Sequence, residues 1–481
     1  ISWKIIKLIA KGSEIIYLST AGITFPGTIP MLTSNKNNPI HNANRMMGIA
    51  AGLIWLAGIG WLGYFSEQTH YYGILAGYTV AFGAFGWLLG LPRESLSLRF
   101  TILLAIFGRL LLVGSVPLLS NDIYRFLWDG LRWLDGANAY VGTPTQVITI
   151  FARDPSYANL YPLLNSPDYY SVYPPLLQIL FIPAAVLWRS TGSLIAAALV
   201  LRIFLLFGDL ATWVGMKQLK IPIHRRWWYF LNPLVVVEVF GNLHAEGIMV
   251  GFLALGLGWL AQRKDVLVSG WAFAASLSTK LVTAIFGPIL LLTVKTRKRM
   301  TWLMVAAGCT LILAIPLISA LWKGGFLDSL DLYFRKFEFN AGLYYLARSI
   351  GQAFTGFNPI AYIGPGLALI GALCILIIAF WPRKRTVAHL QEGLVWTMMA
   401  YLLTTTTLHP WYLVTLVFTG VLAGRRFPLA WSFLAVFSYS HYLHGDFHER
   451  FIWIGAEYAL LLSAVISDYW TPESTRMEKV A

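Results

Sequence analysis

The stretch FTILLAIFGRLLLVGSVPLLSNDIYRFLWDG, residues 100–130, decides the fold of this chain. Its first part is an almost wholly apolar run of about 20 residues, the length that a helix needs to cross a bilayer core about 30 Å thick. The part that follows, SNDIYRFLWDG, brings two aspartates and an arginine together in a chain that otherwise avoids charge. A spanning helix therefore delivers a charged segment to one membrane surface.

The composition of the whole chain also indicates a membrane protein. The 481 residues are 57% hydrophobic and only 12% charged, with a mean hydropathy of +0.63, whereas soluble domains have roughly 25% charged residues. Further apolar runs at 46–65 and 364–381 are long enough to span a bilayer. Because helices satisfy their own backbone groups in lipid, we predict an all-α polytopic integral membrane protein.

The positive charge is concentrated in short loops between apolar runs. The formal net charge is +14, but the cations form no contiguous surface of the kind that binds nucleic acid. Loops rich in Lys and Arg are typical of the cytoplasmic side of a membrane protein. These basic loops lie at 217–226, 262–264, 295–299, 382–385 and 424–426.

Polar and aromatic segments alternate with the basic loops and should therefore reach the external face. This alternation predicts about 14 transmembrane helices with both termini inside, and a long first external loop, about 120–175, that contains interfacial helices. The segment 173–188 should be a partial or re-entrant piece, since prolines interrupt it. The external segments are 120–130, 241–247, 277–280, 336–340, 407–412 and 441–450.

We divide the chain into an N-terminal interfacial segment, residues 1–45, a transmembrane domain, residues 46–470, and a cytoplasmic tail, residues 471–481. The first twelve residues, ISWKIIKLIAKG, are basic and alternately apolar, and no small-residue cleavage site follows them. We therefore expect an interfacial helix there rather than a signal peptide.

The charged segment fits an amphipathic helix. Asp122, Arg125, Asp129 and Arg132 recur at i, i+3, i+7 and i+10, which places them on one stripe. The opposite face is apolar, so the helix should lie along the outer membrane surface with its charges turned up or into a cleft. Alternatively, the aspartates and arginines only neutralise each other in a solvated stripe. Asp129 lies one turn from an arginine on either side and should orient one of them.

Transfer of a sugar from a lipid phosphate needs a carboxylate that takes a proton, cations that balance the leaving phosphate, and aromatic or polar groups that hold the sugar. The external segments supply all three kinds of group. Structural alternatives exist: His244 and Glu246 could form a polar helix end, Lys280 could reach towards the interface, and His409 with Pro410 could form a hinge. Glu338 and Asn340 are equally compatible with a structural role in their aromatic loop.

Two residues inside an apolar run, Arg202 and Asp209, are seven positions apart. Ionisable residues within membrane segments usually pair with one another. We therefore expect a structural intramembrane pair here.

The segment 441–450 contains a cluster of potential metal ligands. His441, His444 and His448 follow at i, i+3 and i+7, a spacing that one helix face could use to bind zinc. Gly445 interrupts that helix, so we favour a polar external loop. The same segment also contains two carboxylates that could bind a metal, Asp446 and Glu449. We expect that the protein needs no cofactor, and a bound divalent metal is the alternative.

The motifs, taken in order, resemble a known family. The segments SNDIYRFLWDG, GANAY (136–140), YPP (173–175), GNLHAEG (241–247), STKL (278–281), FEFN (337–340) and HPWY (409–412) are similar to those of bacterial mannosyltransferase-like members of the GT-C superfamily of membrane glycosyltransferases. The likeness extends over about residues 100–415. It implies a GT-C fold, a polyprenyl-phosphate sugar donor, and a catalytic aspartate in the first large external loop.

On this resemblance the catalytic aspartate is Asp122. Members often have two adjacent aspartates, whereas here the first is Asn121, which leaves Asp122 as the single candidate base. We predict that it deprotonates the acceptor hydroxyl while polyprenyl phosphate leaves, with inversion at the anomeric carbon. The predicted phosphate-binding residues are Arg125, Lys280 and His409. The predicted sugar- and acceptor-binding residues are Tyr124, Asp129, His244, Glu246, Glu338, Asn340, Trp411 and Tyr412.

The expected function is transfer of a sugar, with mannose as the family-level expectation, on the periplasmic face of a bacterial inner membrane. The expected partners are the polyprenyl-phosphate-sugar donor, a glycan, glycolipid or protein acceptor, and membrane lipids, with no nucleic acid. One alternative is a transporter or flippase of lipid-linked sugars, which should place ionisable residues near the bilayer midplane. Another is a membrane acyl- or phosphotransferase; an acyltransferase should have a prominent buried histidine.

Overall fold

A computed structural model describes residues 9–11, 14–16, 39–262, 265–321, 325–381, 386–443, 445 and 447–470. Helices form nearly all of the regular structure in these ranges, beside a short antiparallel pair of strands, β1 (Ile9–Lys11) and β2 (Glu14–Ile16). Several of the helices are apolar and long enough to span a membrane. The prediction of an all-α polytopic membrane protein is confirmed.

The helices follow one another with short connections. Those up to residue 261 are α1 (Pro39–Tyr64), α2 (Tyr71–Gly90), α3 (Leu98–Leu111), α4 (Asp122–Leu134), α5 (Pro144–Phe151), α6 (Pro155–Ala158), α7 (Pro175–Thr191), α8 (Leu194–Gln218), α9 (Ile223–Phe230), α10 (Pro233–Val235) and α11 (Glu246–Ala261). Those that follow are α12 (Val266–Thr279), α13 (Gly287–Thr293), α14 (Arg299–Leu313), α15 (Ile315–Leu321), α16 (Phe326–Arg335), α17 (Gly342–Thr355), α18 (Ile360–Phe380), α19 (Val387–Thr404), α20 (Leu413–Ala423), α21 (Phe427–Leu434) and α22 (Phe451–Trp470). Short 3-10 segments cover Arg93–Ser95, Tyr161–Leu163, Leu281–Phe286, Thr296–Lys298, Pro410–Tyr412 and Ala435–Tyr442, and a π-helical segment covers Val236–Gly241.

Five helices of the described chain can cross a membrane by length and composition: α1, α2, α8, α18 and α22. Two further pairs of consecutive helical segments, each with a sharp bend between its members, raise this number to 7 if each pair crosses the membrane as one span. Shorter apolar helices include α7 and α12, in agreement with the partial piece expected at 173–188. The count of about 14 transmembrane helices stays a prediction.

The beginning of the chain differs from expectation. The helix expected over residues 1–12 is wrong at 9–11, which form β1 and pair with β2. The backbone partners of this strand are residues 14–16, which lie beyond the twelve residues whose pattern predicted the helix. The interfacial location of residues 1–45 stays a prediction, and the tail at 471–481 lies outside the described residues.

Helix α4 turns its charges inwards. Arg125 and Asp129 form an ion pair at 2.9 Å, and their side chains are only 4% and 1% exposed. Asp129 also accepts hydrogen bonds from the Ser171 hydroxyl and the Gln178 amide. The solvated-stripe alternative is therefore wrong for this pair, because polar partners on the chain that follows α4 replace water. The contact expected between Asp129 and an arginine is present.

The intramembrane pair expected between Arg202 and Asp209 is wrong. Asp209 instead accepts a hydrogen bond from Arg109 of α3 at 2.6 Å, while Arg202 donates to backbone carbonyl oxygens, including those of Val113 and Phe240 at 2.9 Å. Two residues seven positions apart share a helix face, but about 10 Å of helix axis separates them. Each charge therefore finds its partner on a neighbouring element.

A sharp break interrupts the chain between Gly241 and Glu246. The segment Pro233–Gly241 and the helix Glu246–Ala261 meet at an angle of 114°. The turn requires a left-handed backbone at Leu243, whose φ is 64°. Broken helices of this kind expose backbone and polar side chains at membrane depth only where protein or a cavity surrounds them. The break therefore indicates a functional position.

Helices α8 and α11 pack with their backbones in contact. A Cβ added at Gly251 of α11 would lie 2.5 Å from the carbonyl oxygen of Gly208 of α8. We expect Gly251→Ala to cost roughly 1–3 kcal/mol of stability, since the two helices must separate. Gly86→Ala on α2 is the matched control, because its Cβ would have no described atom within 4 Å. Thermal unfolding in detergent checks this, and equal melting temperatures for the two variants would contradict it.

Candidate active site

The break before α11 brings three ionisable side chains together. The Nδ1 atom of His244 lies 3.2 Å from a carboxylate oxygen of Glu238. Its Nε2 atom lies 3.9 Å from Oδ2 of Asp122, the first residue of α4. The side chain of His244 is 2% exposed, whereas that of Asp122 is 22% exposed. Asp122 is therefore the member of this group that a substrate can reach.

Asp122 lies among polar groups of other segments. The Asn165 amide donates to its Oδ1 at 3.3 Å. The pKa of Tyr442 is raised to about 12, first by burial and then by the negative charge of Asp122. The loop that contains Asn165, the break and the segment 435–442 thus meet around this carboxylate.

A column of stacked rings leads away from His244. Trp411 stacks on His244 with centroids 3.8 Å apart, and His409 stacks on Trp411 at 4.4 Å. Phe339 continues the column by stacking on His409 at 4.6 Å. The backbones also pair, because the Leu408 amide donates to the Phe339 carbonyl oxygen at 2.7 Å. The segments 336–340 and 407–412, which are far apart in sequence, therefore pack against each other beside His244.

Lys280 supplies the cation of the cluster. It follows the end of α12 and pairs with Glu246, which begins α11. Its Nζ atom also lies 5.4 Å from the centroid of the Tyr412 ring, within the distance of a cation–π contact. The Lys280 side chain is 23% exposed and that of Glu246 only 2%, so the ammonium is the accessible end of this pair.

His409 is neutral at ordinary pH. Burial lowers its pKa to about 3, and electrostatic interactions with His244 and Lys280 act in the same direction. Any contact of His409 with a phosphate would therefore be made by a neutral imidazole, which can donate one hydrogen bond but supplies no charge.

The pKa of His409 has a consequence for stability. The unfolded chain protonates this residue below its ordinary pKa near 6.5, whereas the folded chain does so only near pH 3. The contribution of the neutral His409 to folding stability is therefore fully present above about pH 6.5, and it is lost as the pH falls towards 3. We expect the melting temperature of the wild type to fall more between about pH 7.5 and about pH 5 than that of His409→Gln. Parallel falls in thermal unfolding scans would contradict this expectation.

Two predicted residues of α4 lie beside the site but are engaged elsewhere. The Arg125 guanidinium donates to Asp129 and to the carbonyl oxygens of Ser166 and Tyr169. Tyr124 is half-buried and packs against the hydrophobic core. Their predicted roles, and that of Asp129 in sugar binding, stay predictions.

Glu338 and Asn340 flank the stacked Phe339 but contact a different region. Glu338 pairs with Arg348 at 2.9 Å. The Asn340 amide donates to Glu457 of α22 at 2.9 Å, and its backbone is left-handed, with φ of 51°. These contacts fix the loop that holds Phe339, and acceptor binding by Glu338 or Asn340 stays a prediction.

Glu238 was missed by reasoning from sequence alone. It stands alone in the apolar run LVVVEVF, 234–240, and an isolated carboxylate in such a run is a signal for a functional position. The sequence did not indicate the π-helical segment and the break that turn it towards His244.

A small apolar cavity of about 20 Å³ lies beside this cluster. Its walls come from α4, α7, α8 and the break, and include Phe126, Phe181 and Phe204. Leu243 and Ala245, the chain neighbours of His244, also line it. The apolar lining of this cavity therefore begins next to the ionisable groups.

The segment 441–450 does not form one helix face. The 3-10 segment ends at Tyr442, and Gly445 has a φ of 87°. His441 accepts a hydrogen bond from the Arg450 backbone amide at 3.1 Å, through Nδ1. His444 and Asp446 lie outside the described residues. Within those residues no group of three or more potential ligands could hold a metal ion; the expectation of no cofactor stays a prediction.

Known proteins resemble this chain over the part that contains most of the cluster. The family model described as alpha-(1->6)-mannopyranosyltransferase, N-terminal domain, matches residues 42–296, more than half of the 481 residues. This range includes Asp122, Glu238, His244 and Lys280, whereas His409 and Trp411 lie beyond it.

Two curated relatives agree with the family match. Alpha-(1->6)-mannopyranosyltransferase B of Corynebacterium glutamicum is 27% identical over 207 residues, which cover 39% of this chain and 33% of that protein. Alpha-(1->6)-mannopyranosyltransferase A of Mycobacterium tuberculosis is 26% identical over 166 residues, which cover 32% of this chain and 29% of that protein. The matched segments thus span about a third of each relative. No solved structure matches the chain.

Proposed function

The chain belongs to the alpha-(1->6)-mannopyranosyltransferase family, and from that premise we propose that it transfers mannose from a polyprenyl-phosphate donor to a hydroxyl of a glycan or glycolipid on the external face of the membrane. The proposal rests chiefly on the convergence of an accessible carboxylate, Asp122, with His244 and Lys280 at the break. Glycosyl transfer from a phosphate needs a base on one side and positive charge on the other.

A lipid-linked donor is supported by what surrounds the cluster. The surface beside the cluster, which includes Leu243 and Ala245, is apolar and suits contact with hydrocarbon. Lys280 offers an ammonium to a phosphate in the same cluster. Arg125 is less suited, because its guanidinium donates to Asp129 and to two backbone carbonyl oxygens and its side chain is only 4% exposed, against 23% for Lys280. We therefore assign the phosphate to Lys280.

The exposure of the carboxylates in the cluster supports an inverting course. Glu238 and Glu246 are 0% and 2% exposed, against 22% for Asp122, so one carboxylate is available and acts as a base rather than one of a nucleophile–acid pair. Asp122 removes the proton from the acceptor hydroxyl as its oxygen bonds to C1 of mannose. The bond from C1 to the phosphate oxygen breaks, and polyprenyl phosphate leaves with the electron pair.

The test uses the purified full chain in lipid vesicles. It is given polyprenyl-phosphate mannose with a labelled sugar and a short mannoside acceptor, and the matched control replaces the donor with a sugar nucleotide. We expect labelled product and free polyprenyl phosphate from the lipid donor alone. Product from the sugar nucleotide would contradict the proposed donor, and movement of intact lipid-linked sugar across the vesicle without cleavage would identify a flippase instead.

A further inference from the structure

We infer that Glu238 is a positioning residue of this reaction: its buried carboxylate stabilises the protonated form of His244, which takes over the proton that Asp122 removes from the acceptor. The inference rests on the proposed function. A carboxylate that is 0% exposed within an apolar segment is costly to keep unless its charge is used or fully satisfied. Hydrogen bonds from neighbouring side chains stabilise the charge of Glu238.

Four donors surround the Glu238 carboxylate. One oxygen accepts from the hydroxyls of Tyr78 at 3.0 Å and Tyr439 at 2.7 Å. The other accepts from the Asn242 amide at 3.2 Å and faces Nδ1 of His244 at 3.2 Å. A carboxylate has about four lone-pair sites, so this set fits its acceptor-only form. The charge is thereby fixed in place against the imidazole.

The same contacts fix which nitrogen of His244 bears the proton. Nδ1 faces the Glu238 carboxylate and lies 3.1 Å from the Glu238 backbone carbonyl oxygen, and both groups only accept. Nδ1 is therefore the donor, and the lone pair of the neutral ring is on Nε2. That atom is buried and has no hydrogen-bond partner among the described residues.

The free nitrogen points to the catalytic base. Nε2 is 3.9 Å from Oδ2 of Asp122, so a closer approach of about 1 Å gives a hydrogen bond. Asp122 gains a proton from the acceptor and passes it to Nε2, which returns Asp122 to a carboxylate and makes His244 an imidazolium beside Glu238. Trp411, stacked at 3.8 Å, holds the plane of the ring during this step.

Glu238→Gln removes the charge and keeps the size of the side chain. We expect kcat to fall about 10- to 100-fold, with KM within about twofold of the wild type, because the residue does not touch substrate. Glu392→Gln is the matched control: it makes the same change at a carboxylate that pairs with Arg425 outside this cluster, and its kcat should stay within about threefold. Equal kcat values for the two variants would overturn the inference.

A double-variant cycle separates positioning from a purely structural effect. In a His244→Gln background, Glu238→Gln should cause little further loss of kcat, because both changes remove one relay; a further full loss would overturn the inference. If Glu238→Gln does not fold, His244→Gln alone must lower kcat comparably, and an undiminished kcat overturns the relay. A wild type that transfers no mannose refutes the proposed function and this inference with it, whereas an active wild type with an unaffected Glu238→Gln refutes only the inference.

Discussion

Asp122→Asn is expected to lower kcat for mannosyl transfer about 1,000-fold while the protein folds normally. The amide has nearly the size of the carboxylate and keeps an oxygen that can accept from Asn165, which now donates at 3.3 Å. What is lost is the ability to take a proton from the acceptor hydroxyl. Since the other two carboxylates of the cluster are buried and bonded, no neighbour is placed to substitute for it.

A carboxylate in the same external loop provides the control. Asp168 is exposed and accepts a hydrogen bond from the Thr145 hydroxyl at 2.7 Å, so Asp168→Asn removes the same charge without touching the cluster. Initial rates of labelled product at saturating donor and acceptor should change less than about twofold. A folded Asp122→Asn protein with an undiminished rate would refute the role of Asp122 as the base.

The positions that sequence reasoning found share one property, a recognisable local pattern. The charge spacing predicted one helix that contains Asp122 and Arg132, and α4 runs from Asp122 to Leu134. The alternation of basic and polar loops predicted that the segments around His244, Lys280 and His409 lie on one face, and the structure brings these three residues into one cluster. Such patterns depend on nearby residues and on hydropathy alone, so they can be read without knowing the packing.

What sequence reasoning missed depends on which helices are neighbours. Periodicity places Arg202 and Asp209 on one face of α8, but it cannot show that Arg109 of α3 reaches Asp209 first. Likewise Leu243 is not a residue type that indicates a left-handed backbone, and Glu238 finds two of its partners, Tyr78 and Tyr439, 160 and 201 positions away in the chain. Long-range partners of this kind have no local signal.

The second large effect is expected at Lys280. Lys280→Met removes the ammonium that we propose balances the leaving phosphate, and kcat should fall at least about 100-fold. The same change leaves Glu246, which is only 2% exposed, without its cationic partner. Breaking a buried ion pair by removing one partner costs about 3 kcal/mol or more, so the melting temperature should fall as well, and a single variant cannot separate the two effects.

A double variant, Lys280→Met with Glu246→Gln, separates the loss of catalysis from the loss of stability. The double variant no longer has an unpaired carboxylate, so we expect its melting temperature to recover most of the loss. Its kcat should stay as low as that of Lys280→Met, because the phosphate still lacks a cation. Thermal unfolding and initial transfer rates on the same preparations measure both. If kcat recovered together with stability, Lys280 would serve only to neutralise Glu246, and the phosphate would need another partner, for which Arg125 would become the first residue to test.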